Sequence, residues 1–231
     1  MHTGDPGPAG LAQHGDYANL LRRAAGLASE AVEIVAVFCG AMPKHPSRYA
    51  AALITGSPAM VTDREPWSEA TARWLRAAAD DGLPVFGVCY GHQLLAQAFG
   101  GQVDYNPRGR EIGTQDVELT GEAGDDALLA GLPTHFPAQM QHSQTVTVPP
   151  PDARVLARSA LDAHQFLRYS PVIVSAQFHP EFDADLTRWD LARRKERYAR
   201  EGLDVQALER GVRPSPEAAS LPARFLALYA R

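Results

Sequence analysis

With only two cysteines in 231 residues, Cys39 and Cys89, the sequence offers no disulfide framework. It has no apolar run near the roughly 20 residues that a membrane-spanning helix takes, and no signal-peptide pattern at its start. The expected setting is reducing and cytoplasmic, where a free thiol persists. A net charge of −5 gives no basic surface for nucleic acid or an anionic membrane. The eight histidines fall without an H-x-x-x-H pair or a Cys–His cluster, so no metal is expected. There is no G-x-x-x-x-G-K loop to cradle phosphates, and no cofactor, internal repeat or low-complexity segment is called for.

What is present centres on Pro84-Val85-Phe86-Gly87-Val88-Cys89-Tyr90-Gly91-His92-Gln93. A β-branched and aromatic run ends at a cysteine flanked by glycines, and a helical stretch follows until Gly100-Gly101. This reads as strand, tight turn and helix, with the thiol at the apex of a strained turn. The glycines fit where backbone and helix approach too closely for a Cβ. A helix N-terminus favours the thiolate. The plain alternative is a buried core cysteine that precedes a helix.

Ninety residues on, Val172-Ile173-Val174-Ser175-Ala176-Gln177-Phe178-His179-Pro180-Glu181-Phe182 ends a β-rich run at His179. On extended backbone, residues two apart point the same way. Glu181 is therefore placed to orient His179, and His179 to take the proton of Cys89. Nucleophile, base and orienter are the parts that thiol-based acyl transfer requires.

Gly87-Val88-Cys89-Tyr90-Gly91-His92-Gln93 together with Gln177-Phe178-His179-Pro180-Glu181 resembles the class I (triad) glutamine amidotransferases, especially stand-alone members similar to the glutaminase domain of GMP synthase. The resemblance runs from about Thr3 to about Phe182. It implies Cys89 as nucleophile on a γ-amide, His179 as general base and acid, and Glu181 as orienter. It implies oxyanion-hole N–H groups from Gly56-Ser57, where the family has Gly-Gly-Pro, and from Tyr90. It implies substrate contacts from Gln93, and from His142 and Ser143 in Gln141-His142-Ser143-Gln144, where Gln144 replaces the family's acidic residue.

Strand and helix alternate through the first hundred residues, which predicts a flavodoxin-like, doubly wound α/β fold with a largely parallel sheet and additional antiparallel strands. Met1 to Gly15 reads as a loop, Asp16 to Gly26 as a helix, Ala31 to Phe38 as a buried strand and Ala51 to Thr55 as the next. A helix is expected from Glu65 to about Asp81. Ile112 to Leu119, Phe136 to Gln141, Gln144 to Val148, Val155 to Arg158 and Gln165 to Tyr169 read as strands, and Asp125 to Leu132 as a short helix. Asp183 to Arg200, Asp204 to Arg210 and Glu217 to Tyr229 are helical. One domain over 1–231 is expected, with its core at about 3–182 and a helical C-terminal extension over 183–231. The family begins with a strand before a Thr-Gly-Asp turn; here Thr3-Gly4-Asp5 sits near the start, so that strand is expected to be missing or a stub.

The leading functional reading is a glutaminase that releases ammonia to a separate synthase partner. A self-sufficient γ-glutamyl hydrolase or peptidase is the alternative, and a non-catalytic regulatory module the third. Glutamine or another γ-glutamyl amide is the expected substrate, with neither nucleic acid nor membrane as a partner. A solvated helix face is the reading of Arg193, Arg194, Lys195 and Arg197.

Overall fold

The computed structural model describes residues 1–230. Three parallel strands carry the fold: β1 (Ala52–Ile54), β2 (Val85–Val88) and, far along the chain, β9 (Ile173–Ala176). Every residue of β2 and β9 is buried, as expected of strands covered on both faces. Alternation sends Phe86 and Val88 to one face, into an aromatic cluster with Phe136, Phe166, Phe178 and Phe225. It sends Val85 to the other, beside Ile54, Leu75, Leu94 and Leu95. The helix α3 (Pro66–Asp80), opened by a proline in its first turn, and α4 (Tyr90–Ala98) supply that second layer.

The rest of the main sheet is antiparallel. β4 (Glu111–Leu119), β5 (His135–His142), β7 (Arg154–Ser159) and β8 (Phe166–Ser170) extend it in the order β1-β2-β9-β8-β7-β4-β5. β3 (Gln102–Tyr105) and β6 (Gln144–Val148) form a separate two-stranded sheet. The expected α/β fold with added antiparallel strands is present, and the antiparallel share is larger than the helix–strand alternation implied. The cause is that β9 receives β8 antiparallel beside it instead of a crossover unit.

Several local expectations are corrected. Residues 8–14, read as loop, form α1 (Pro8–His14), with proline at its first position. α2 (Tyr17–Ala24) follows, its start capped by Asp16, whose carboxylate accepts the Asn19 N–H at 2.7 Å. Ala31 to Phe38 is not a buried strand: it is irregular, with single 3₁₀ turns at Ser29–Ala31 and Val37–Cys39, and Ile34 is exposed. Met1 to Thr3 intervenes between this segment and β1. The Met1 ammonium donates to the Leu53 carbonyl at 2.5 Å and Thr55 N–H to the Met1 carbonyl at 3.1 Å. His2 bridges Ala36 on the other side. Residues 32–35 thus stand off from β1 across an apolar cleft of about 430 Å³.

Asp125 to Leu132 is a string of turns and not a helix, because the Asp126 carboxylate takes the Leu128 N–H at 3.0 Å and competes with helical bonding. The same carboxylate binds Arg168 of β8 through two bonds, at 2.5 and 3.0 Å. Of the expected C-terminal helices, 183–200 is broken into α5 (Ala184–Arg193) and α6 (Lys195–Arg200), 204–210 forms as α7 (Val205–Gly211), and 217–229 is broken into α8 (Pro216–Ala219) and α9 (Leu221–Tyr229). Phe225 of α9 packs edge-on against Phe86, 5.4 Å between ring centres. Among the described residues no helix is long and apolar enough to cross a membrane.

Candidate active site

Cys89 joins β2 to α4 with φ 49° and ψ −96°, one of two non-glycine residues at positive φ among the described residues. The other, Arg64, lies in the ordinary left-handed region at φ 53°, ψ 39°; Cys89 does not, and its conformation is strained. Its N–H is tied to the Ala176 carbonyl at 2.8 Å, so the parallel ladder with β9 holds the strain in place. The flanking glycines are needed for space. A Cβ on Gly87 would lie 2.6 Å from the Gly91 carbonyl oxygen, and one on Gly91 would lie 2.8 Å from Ile54 Cβ. The expected elbow is what forms.

β9 ends at Ala176, and the chain then carries Gln177, His179 and Glu181 past the elbow. His179 Nδ1 meets Glu181 Oε1 at 2.8 Å, and both residues are buried. The Phe182 ring stacks on the imidazole at 4.1 Å with a 10° tilt, fixing its plane from one side. Tyr17 of α2 lies behind Phe182 at 6.0 Å. Burial alone would push the imidazolium's pKa down. The Glu181 carboxylate and the Cys89 thiol beside it outweigh that, and His179 is pushed up to about 10. Its Nε2 and the second carboxylate oxygen of Glu181 are buried with no hydrogen-bond partner.

Gly56, at the end of β1, closes the third side. A Cβ there would sit 2.8 Å from His179 Cε1 and 3.5 Å from Cys89 Cβ, so only glycine lets this loop meet thiol and imidazole together. Ser57 turns its hydroxyl away, donating to the Thr3 carbonyl at 2.7 Å. The Thr3 hydroxyl lies 2.8 Å from the Gly56 carbonyl and pins the same loop. Among the described residues neither Ser57 N–H nor Tyr90 N–H has an acceptor, which leaves both available to a developing oxyanion. The Tyr90 side chain points away, donating to Ser68 Oγ at 2.6 Å.

The remaining expected site residues divide. Gln93, one turn after Cys89, is buried, and its Nε2 donates to the Gln144 carbonyl at 2.9 Å and to Gln177 Oε1 at 3.0 Å. His142 is not brought to the thiol. Its Nδ1 lies 3.0 Å from the Gln144 carbonyl and its Nε2 3.0 Å from Glu111 Oε2, so no ring nitrogen is left for a substrate. The reason is register: Glu111 and His142 are directly opposed on β4 and β5. Ser143 is half-buried, its carbonyl receiving the Asn106 N–H at 2.9 Å. Gln144 sends its side chain to Thr62 Oγ1 at 2.6 Å.

Glu111, His142 and Asp162 hold their ligand-type atoms within 4.8 Å of one another. Sequence spacing hid this cluster. Its oxygens are already committed: Gln165 Nε2 and Ser159 Oγ each donate to Glu111 at 2.6 Å, and Thr145 Oγ1 donates to Asp162 at 2.6 Å. The sequence reading also missed Phe182 and Thr3 as supports of the site. Phe182 stood in the quoted motif run, but nothing in a lone aromatic announces a stack on the His179 imidazole.

A family model described as "Glutamine amidotransferase class-I" matches residues 15–195. The GMP synthase [glutamine-hydrolyzing] of Aeropyrum pernix is 34% identical over 193 residues, covering 82% of this chain and 33% of that protein. A GMP synthase [glutamine-hydrolyzing] subunit from Methanothrix thermoacetophila is 37% identical over 100 residues, 43% of this chain and 53% of that protein. The chain thus spans 33% of the first relative's length and 53% of the second's. Among solved structures, a glutamine amidotransferase from Thermotoga maritima superposes with a TM-score of 0.73 at 19% identity, over 92% of this chain and 91% of that one. One from Methylobacillus flagellatus gives 0.73 at 21% identity, over 93% and 90%.

Proposed function

Because the chain belongs to the class I glutamine amidotransferase family, we propose that it hydrolyses the γ-amide of glutamine through a Cys89–His179–Glu181 triad and delivers the ammonia to a separate synthase. The observation that carries this is the strained Cys89 set beside a His179–Glu181 pair whose Nε2 has no other partner. The Cys89 sulfur attacks the amide carbon, and the carbonyl oxygen takes negative charge facing the Ser57 and Tyr90 N–H groups. His179, which took the Cys89 thiol proton as the sulfur attacked and is held protonated by Glu181, gives that proton to the leaving nitrogen as the C–N bond breaks, and ammonia departs. Water then adds to the glutamyl thioester, His179 takes its proton, and breakage of the C–S bond returns the thiol and glutamate. The curated relatives named GMP synthase, one of them a separate glutamine-hydrolysing subunit, support a synthase as the ammonia acceptor.

A second reading is favoured by one observation. Gln144 replaces an acidic residue and its side chain is occupied by Thr62, which suits a γ-glutamyl compound other than free glutamine. The test is ammonia or amine release by the purified protein, with glutamine and a panel of γ-glutamyl dipeptides and with Cys89→Ala as the blank. Glutamine turnover, alone or on addition of a synthase, is the expected result. Preferential cleavage of the dipeptides would instead establish a free-standing γ-glutamyl hydrolase.

A further inference from the structure

Gln93 lies one helical turn beyond Cys89, on the same face of α4. A carboxamide has two orientations related by a flip, and here one of them is forbidden. The atom facing the Gln144 carbonyl at 2.9 Å must be a donor, because a main-chain carbonyl can only accept. That atom is therefore Nε2, and its second hydrogen meets Gln177 Oε1 at 3.0 Å. Both hydrogens are used, and no described residue donates to the Gln93 Oε1.

The two acceptors are themselves anchored. The Gln144 carbonyl also receives the Nδ1 of His142, which Glu111 holds from its other side. Gln177 is fully buried, and its N–H is bonded to the Gln165 carbonyl at 2.9 Å. Its own Nε2 is buried without an acceptor. An orphaned donor is an unfavourable state. Turning the Gln177 amide over would not relieve it, since two NH₂ groups would then face each other.

We infer that Gln177, with the Gln144 carbonyl, is a positioning group that locks the Gln93 carboxamide with its oxygen free, as an acceptor for an N–H-bearing substrate group such as the α-ammonium of a γ-glutamyl compound. The inference rests on the reading of Cys89 as a γ-glutamyl nucleophile. It assigns to Gln177 a role in substrate selection exerted through Gln93 and not through contact with the thiol.

The test compares wild type, Gln177→Met, Gln177→Glu, Gln93→Met and the Gln93→Met/Gln177→Met double variant. Two reagents are used: iodoacetamide, which alkylates Cys89 without substrate recognition, and a diazoketone analogue of glutamine, which needs it. Gln177→Met is expected to weaken the analogue's inhibition constant by about tenfold, the size of one lost positioned hydrogen bond, with iodoacetamide alkylation within twofold of wild type. Gln177→Glu, which keeps the acceptor, is expected to restore most of the affinity. In the Gln93→Met background, Gln177→Met is expected to add nothing. Unchanged analogue affinity, a parallel fall in iodoacetamide reactivity, or additive effects in the double variant would each overturn the inference. Wild type that reacts with iodoacetamide but not with the analogue would remove the γ-glutamyl reading itself, and this inference with it.

Discussion

Two buried histidine–carboxylate groups stand in this chain, built from the same residue types and put to opposite uses. In one, His179 binds Glu181 at 2.8 Å through Nδ1 and leaves Nε2 unpartnered beside Cys89. In the other, His142 sits between Glu111 and the Gln144 carbonyl, each at 3.0 Å, with Ser159, Gln165 and Thr145 completing the carboxylates. The first group is open at His179 Nε2 and at one Glu181 oxygen, and the open ring nitrogen is where a proton can move. The second is closed at every atom and serves as a fixed post. A residue inventory does not tell them apart; the unsatisfied nitrogen does.

The largest expected effect breaks the open group. Cys89→Ala or His179→Ala is expected to lower γ-glutamyl amide turnover by at least about 10⁴-fold, since the two act as a unit. Glu181→Gln, which weakens orientation without removing it, is expected to lower turnover by on the order of a hundredfold. Turnover surviving in Cys89→Ala would put the nucleophile elsewhere.

Breaking the closed group is expected to act on stability. His142→Leu leaves Glu111 and Asp162 buried without the ring between them, a loss of about 3–5 kcal/mol in denaturant unfolding. Iodoacetamide reactivity of the folded variant should match wild type. A folded His142→Leu protein whose stability is unchanged would show that the cluster is not a post.

A subtler sharpening uses pH. The pKa of His179 is raised from 6.5 to about 10, so its contribution to stability is fully present below about pH 6.5 and is lost as pH rises through about 10. His92, wholly buried on α4 against Ser175 Oγ at 2.7 Å, is pushed down by that burial to about 3. Its contribution runs the other way: stability present above about pH 6.5 is lost as pH falls toward 3. Unfolding midpoints at acid, neutral and alkaline pH should show His92→Asn flattening the acid limb and His179→Gln the alkaline one. An acid limb equally steep in His92→Asn would clear His92 of the effect. The smallest effect belongs to Cys39, which is exposed and lies outside both groups. Cys39→Ser is expected to leave turnover and stability unchanged, and a loss of either would give that thiol a role no contact here supports.

The elbow was legible because its demands are local. A buried apolar run, two glycines that Gly91 O and Ile54 require, and a cysteine between them all lie within seven residues. The His-x-Glu pair was legible for the same reason, since extended backbone carries its own period of two. Ala31 to Phe38 misled because an apolar run gives hydrophobicity but not pairing, and among the described residues the segment bridges only to His2. Cys39, one residue beyond that segment, is exposed. The turns over 125–132 misled because Asp126 caps its own neighbours and reaches across 42 residues to Arg168, which no helical period records.

The sequence by itself determined the strained cysteine turn and the His-x-Glu pair, since each rests on spacing within a few residues. Tertiary structure alone decided which histidine is left open. The opposition of Glu111 and His142 across β4 and β5 closes one, and the packing of Gly56, Cys89 and Phe182 around His179 keeps the other free. Hydrogen-bond saturation is a property of atoms gathered from distant parts of the chain, and no local pattern encodes it.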